Sequence, residues 1–188
     1  MGCFEKISER LIVHKINNYI CNITNPYKIM KAALKDIKPG FGLGNLKFGM
    51  SRAEAKLMLG EPSFIDNYSH TDSDEDLTES WEYDELELSL SFDEDEDWKL
   101  IMISVNSDFY ELEKVSLIGL KENELLKKLE AINLGKLNLE DSSEYDGQNQ
   151  KVIEIDEKSI NFWINDGVLD EIQWSPLFVD DDTIVWPK

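Results

Sequence analysis

The sequence predicts an α+β fold: two tandem helix-plus-antiparallel-meander repeats behind an N-terminal helical appendage. Three observations carry this. The stretch Leu46–Pro62, LKFGMSRAEAKLMLGEP, reads as a short strand, a capped helix and a hard stop. A weaker copy returns 70 positions later, where Ile118, Gly119, Leu120, Lys121 and Glu124 fall in register with Phe48, Gly49, Met50, Ser51 and Glu54. After each copy come three strand-like runs punctuated by turn residues. The expected division is 1–38 for the appendage, 39–112 for repeat 1, and 113–188 for repeat 2 with its C-terminal tail.

Taken in order, residues 4–20 place Phe4, Ile7, Leu11, Ile12, Ile16, Tyr19 and Ile20 at three- and four-residue steps, one face of an amphipathic helix. A second helix is expected from Tyr27 to Ile37, after Asn25-Pro26 and before Pro39-Gly40. These helices either dock on the body or present a partner surface. Gly40, Gly42 and Gly44 lack the Lys-Ser/Thr of a phosphate loop and read as a flexible joint.

In the first copy Ser51 caps the helix with Glu54 at its third position, and Gly60 and Pro62 end it. The second copy has lost the capping residue. A polar loop, Asp66–Thr78, is expected next, then strands Ser80–Tyr83, Leu86–Phe92 and Lys99–Val105. The second copy offers Lys151–Ile155, Ser159–Ile164 and Val168–Trp174. Asp84-Glu85 and Asp156-Glu157 are hairpin-turn candidates, and Asn165-Asp166-Gly167 suits a tight turn with positive φ.

A two-residue turn at Asp84-Glu85 would pair Tyr83 with Leu86 and Trp81 with Leu88. Trp81, Tyr83, Leu86, Leu88, Leu90 and Phe92 then face the core, and Ser80, Glu82, Glu87, Ser89 and Ser91 face water. The same rule sends Ile153, Ile155, Ile160 and Phe162 inward and Glu154, Ser159, Asn161 and Trp163 outward. Trp163 on a polar face is either an interface anchor or a residue covered by the tail Leu177–Trp186.

The net charge of −20 is unevenly spread: residues 1–38 hold seven Lys/Arg against three Asp/Glu, leaving 12 against 36 for the rest. Such a body repels nucleic-acid phosphates and anionic membranes, which argues against direct nucleic-acid or membrane binding. It attracts a basic protein, unless the charge serves solubility alone. No 18-residue apolar run and no secretory leader pattern is present, so a cytoplasmic protein is expected. Lys6 breaks the acylation pattern begun by Met1-Gly2, and Cys3 and Cys21 have neither zinc nor redox spacing.

His14 and His70 belong to no metal or triad pattern, and no catalytic set is legible, so no enzyme and no cofactor is expected. Asp72, Asp74 and Asp76 begin like a calcium loop, but Leu77 stands where the loop needs Gly and Tyr83 where it needs Glu. No metal site is expected there. These carboxylates instead suit a rim that imitates a phosphate backbone toward basic side chains.

LKFGMSRAEAKLMLGEP (46–62), WEY (81–83), LELSLSF (86–92) and LIMISV (100–105) together resemble the helix-plus-meander unit of the β-lactamase-inhibitor-protein-like fold. Small outer-membrane assembly lipoproteins carry one such unit and the inhibitor proteins two; residues 115–174 resemble the second faintly. The resemblance implies a concave sheet surface that grips a partner protein. An acidic, duplicated binding module also resembles an immunity protein of a bacterial toxin–immunity pair. The expectation is therefore occlusion of a cognate toxin, a basic protein and possibly a nuclease, by Glu82, Glu87, Glu154, Trp163 and Glu171 on the open face, with Asp72, Asp74 and Asp76 as rim charges. The rival is a cytosolic scaffold or assembly protein that binds an endogenous partner or self-associates through residues 4–37.

Overall fold

A computed structural model describes residues 26–69, 77–141, 149–180 and 183–188. The expected helix at 4–20, both cysteines and both histidines lie outside the described residues. The chain divides after Ala33: helix α1 (Pro26–Ala33) belongs to the first unit, and Leu34–Lys188 form the second. α1 starts on a proline, which needs no N–H partner at a first helical position. It stops four residues before the expected Ile37, because Ile37 is a strand residue. In β1 (Asp36–Lys38) Ile37 pairs with Leu43 on one side and Leu112 on the other, and it is buried.

β1 is the middle strand of a small sheet. β2 (Gly42–Leu43) and β3 (Leu46–Lys47) flank it on one side; β8 (Glu111–Leu112) and β9 (Val115–Ser116) flank it on the other. The glycine run is no flexible joint. It turns the chain tightly: a Cβ on Gly42, at φ +144°, would stand 2.0 Å from the Leu46 carbonyl oxygen. The side-chain-free position is what lets β3 come this close.

Helix α2 (Arg52–Leu59) is capped as its sequence requires. The Ser51 hydroxyl accepts from the Glu54 backbone N–H at 3.3 Å, and the Ser51 N–H donates to Glu54 Oε2 at 2.9 Å. Ala55 and Leu59 carry its buried face. Helix α3 (Glu122–Ile132) begins after Lys121, which makes no side-chain cap bond, and ends at Asn133 in the left-handed region, φ +58°. Leu125 and Leu129 are its buried residues.

The main sheet has eight antiparallel strands in the order β10-β11-β12-β13-β7-β6-β5-β4. On one side of its centre lie β4 (Phe64–Ser69), β5 (Leu77–Tyr83), β6 (Leu88–Asp93) and β7 (Lys99–Val105). On the other lie β10 (Asn138–Asp141), β11 (Gln150–Ile155), β12 (Ile160–Asn165) and β13 (Val168–Trp174). β7 and β13 join the two sets through Val105–Ile172, Ser104–Gln173 and Ile103–Trp174. The expected three-stranded meanders thus each have a fourth strand. β4 occupies part of the expected polar loop; as an edge strand exposed along Phe64–Asn67, it lacks the buried apolar alternation that marks a strand in sequence.

Both predicted two-residue hairpin turns are longer. Asp84–Leu86 and Asp156–Lys158 are short 3-10 turns, closed by Glu87 (φ +51°) and Ser159 (φ +47°). Tyr83 therefore pairs with Leu88 and Trp81 with Leu90, two residues beyond the expected register. A two-residue shift preserves the side-chain face, so the inward set survives: Trp81, Tyr83, Leu88, Leu90 and Phe92 are buried, as are Ile153, Ile155, Ile160 and Phe162. Glu87 and Ser159 do not survive as ladder residues. The Asp166-Gly167 turn has positive φ at both positions, as expected.

Several local geometries recur along the chain. Gly49 N–H donates to the Leu100 carbonyl and Leu100 N–H to that of Met50; Gly119, Leu169 and Leu120 make the same pair of bonds. The β6–β7 ladder breaks register after Ser91, and the β12–β13 ladder after Trp163. Buried Trp174 ties the two sheets together by donating its indole N–H to the Gly42 carbonyl at 3.1 Å. A side chain of that size contributes about 3 kcal/mol by burial.

Candidate functional site: the open face of the main sheet

Pairing in register lays one row of side chains across all eight strands: Phe64, Glu82, Ser89, Ser104, Gln173, Asn161, Glu154 and Asn138. Cross-strand partners point to one side of a sheet, and on the six inner strands the neighbouring positions are the buried ones. The row is therefore the middle of the open face. Glu82 and Glu154 sit one strand in from either edge. Five strand steps of ~4.8 Å put them roughly 24 Å apart, with only hydroxyls and amides between.

Two partial rows lie beside it. In one half Asp66, Ser80, Ser91 and Met102 are aligned; in the other Glu140, Val152, Trp163 and Glu171. None of the residues in these rows is a lysine or arginine. Among the described residues these rows hold no cation, so their carboxylates give the face a negative potential.

A hollow of about 260 Å³ lies over the β4–β7 half and reaches from Tyr68 to Glu171 on β13. Glu82 is its best-anchored charge: the Ser80 and Ser89 hydroxyls both donate to its Oε1, at 3.2 and 2.8 Å. The carboxylate is thereby fixed in position before any partner arrives. Glu171 lines the same hollow and stands opposite Trp163. Trp163 is half-buried, and Val152, its cross-strand neighbour on the open side, is only 3% exposed. A valine on a wet face can be buried only by its neighbours' side chains, and Trp163 is the large one.

Glu154 is held above the usual carboxylate range by burial first, then by the charges of Glu140 and Asp156. A cation brought to this end of the face would relieve that repulsion. Glu87, predicted on the open face, stands instead at the end of the sheet beyond the ladder. It lines a second hollow of about 230 Å³ together with Glu82 and Asp84. Asp72, Asp74 and Asp76 lie outside the described residues.

The tail lies away from Trp163. Pro176 bridges Gly40, and Trp186 packs against Gly49 with Lys99 5.2 Å from its ring; β14 (Leu177–Phe178) and β15 (Ile184–Val185) form a two-stranded hairpin. Ser104, Gln173 and Met102 are site residues that sequence reasoning did not single out. The outward alternation of Ser89 and Ser91 is visible in sequence, but the long row that Ser89 joins depends on the β7–β13 seam, which no local pattern announces.

Among the described residues no group of three or more His, Cys, Asp or Glu is placed to hold a metal ion, and no helix is long and apolar enough to cross a membrane. No family model matches the chain, and neither does any curated protein or solved structure.

Proposed function

We propose that this chain is a stoichiometric protein inhibitor of the immunity type, which binds and occludes a basic toxin, a nuclease in the leading reading, through the open face of its main sheet. The observation that carries the reading is an open face whose aligned rows hold Asp66, Glu82, Glu140, Glu154 and Glu171 and no lysine or arginine. In a chain of net charge −20 such a face steers a cationic partner into encounter, and Trp163 supplies an aromatic anchor beside the charges. Inhibition then consists of covering the toxin's substrate-binding cations, with no chemistry by the inhibitor. The site of action is the cytoplasm.

The architecture proposed with it is a tandem duplication: repeat 1 at 39–112, repeat 2 at 113–188, and the appendage 1–38 ahead of them. Its support is the recurrence of geometry at near-constant spacing. Glu87 and Ser159, 72 positions apart, close the same turn; Ser91 and Trp163, also 72 apart, precede the same register break. The likeness of residues 46–105 to the β-lactamase-inhibitor-protein unit belongs to the same proposal.

The rival is a scaffold protein. What favours it is exposed apolar surface on both edge strands, with Phe64 61% and Leu139 51% accessible. The test is capture from the native cell by the tagged full-length chain at low and then moderate salt, followed by titration of the captured protein. A basic toxin-like partner bound one to one, and weakened roughly tenfold by Glu82→Lys or Glu154→Lys, is the expected result. Unchanged affinity in both variants removes the open face as the binding surface. Recovery of the chain's own copies alone moves the reading to self-association.

A further inference from the structure

The open face is filled in one half and hollow in the other. Trp163 and Ser91 each precede a register break, and their cross-strand neighbours are Val152 and Ser80. Where Trp163 and Val152 fill the surface, the two serines leave a hollow of about 260 Å³. Ser91 is 4% exposed and lines that hollow, and among the described residues no side-chain partner satisfies its hydroxyl. A hydroxyl that is almost covered by the fold, opens only onto the hollow and has no described protein partner is placed to bond a ligand seated there.

We propose that this hollow is the receptor for one arginine side chain of the partner protein; the assignment rests on reading the open face as the surface that binds a basic protein. The volume is below the ~300–1,000 Å³ of sites for free drug-sized ligands and suits a single side chain. Glu82 and Glu171 line it and no described lysine or arginine does, so the occupant is cationic. Both serine bonds to Glu82 converge on Oε1, which leaves Oε2 to accept from an incoming N–H. Acceptors come from several directions, with Ser89, Ser91 and Ser104 on the floor and a carboxylate on either side. A guanidinium presents five N–H donors in a planar fork, whereas an ammonium presents three from one point, so the arrangement selects arginine over lysine. Met102 in the wall offers apolar contact to the arginine stem.

The test is a nuclear magnetic resonance titration of the isotopically labelled full-length chain with acetyl-arginine amide, with the lysine and citrulline analogues in parallel. Saturable shifts centred on the amides of Ser89, Ser91 and Ser104 are expected, about tenfold stronger binding for arginine than for citrulline, and a similar loss in Glu82→Gln. Ser91→Trp, which fills the hollow as the other half is filled, should abolish the response. If that variant does not fold, Glu82→Gln carries the decision. Shifts spread over the acidic face without a centre here, or an unchanged response in Glu82→Gln, would overturn the assignment. A captured basic partner that binds Ser91→Trp and the unaltered chain equally also sinks the arginine receptor while leaving the open-face reading intact. No basic partner, with arginine amide still saturating this hollow, would overturn the open-face reading and the partner's part in the assignment, while showing that the hollow itself selects arginine.

Discussion

Arg52 and Glu122 hold the same place in two helices and carry opposite charges. Each is the first residue of its helix, α2 and α3. Arg52 Nη1 lies 2.9 Å from Glu79 Oε2 on β5, and Glu122 Oε2 lies 2.9 Å from Lys151 Nζ on β11. The same bridge between helix start and sheet is thus built twice with its charges exchanged. Both pairs are partly covered, so each ion loses some hydration and leaves its partner exposed to loss if removed.

Charge exchange at the first bridge should therefore be tolerated only when both ends change. Arg52→Glu alone places a second carboxylate against Glu79 and should lower stability by about 2 kcal/mol. Adding Glu79→Lys restores the pair in the sense of the second bridge and gives the helix start the negative charge its dipole favours. Recovery stays incomplete, because Glu79 also accepts from the Trp81 indole N–H and Arg52 stacks 4.2 Å from the Trp98 ring. Urea midpoints of the two single variants and the double variant measure the coupling. A double variant no better than the sum of its singles would disprove the equivalence of the bridges.

Glu154 gives a pH dependence of defined sign. Burial, and then Glu140 and Asp156, raise its folded-state pKa above the unfolded value, so the folded state holds the proton more tightly. The resulting penalty is full at neutral pH and is relieved as pH falls through the raised folded value. Glu154→Gln should accordingly stabilise the chain at pH 7. The gain should shrink as the solution is brought to about pH 4, near the unfolded-state titration of a carboxylate. Denaturant midpoints at the two pH values report it; an equal gain at both would assign the effect to packing.

How much of this was legible depended on the range of the interaction. The cap at Ser51 and Glu54 lies within one helical turn, and the inward positions of Trp81, Leu90 and Phe162 follow from a period of two that a register slip of two leaves untouched. The sequence places Glu87 on the sheet because its left-handed turn carries no glycine to announce it. Ile37 looks helical in sequence because its strand partners Leu43 and Leu112 are supplied from elsewhere in the chain. The hollow was out of reach for the same reason: besides Ser91 and Met102 of the β6–β7 hairpin it needs Ser104 beside Gln173, and only the assembled seam brings that pair together.

Capping offers a stability change at each helix in opposite directions. Ser51→Ala removes the acceptor for the Glu54 N–H and should cost about 1 kcal/mol. The Ser51 N–H, and then its hydroxyl, hold the Glu54 carboxyl below its ordinary range, so that favourable contact is present at neutral pH and fades as pH falls through the lowered value. Lys121 begins α3 without a side-chain cap, yet Glu124 already stands at the third helical position. Lys121→Ser completes the reciprocal pair and should add about 1 kcal/mol. Thermal unfolding of both variants against the unaltered chain checks the two signs.

Gly42→Ala should be the most damaging of these changes, for a reason confined to backbone geometry. The added methyl would meet the Leu46 carbonyl oxygen at 2.0 Å, and the carbonyl of Gly42 is the acceptor for the Trp174 indole. Relieving the clash means moving β2 away from β3, which also pulls that acceptor from a buried N–H. Leaving a buried donor unsatisfied costs about 1–3 kcal/mol in addition to the strain. The urea midpoint should fall well below that of Ser51→Ala, and the Trp174 indole proton should lose protection from hydrogen exchange. A midpoint unchanged from the unaltered chain would mean that the hairpin can open without disturbing the joint between the sheets.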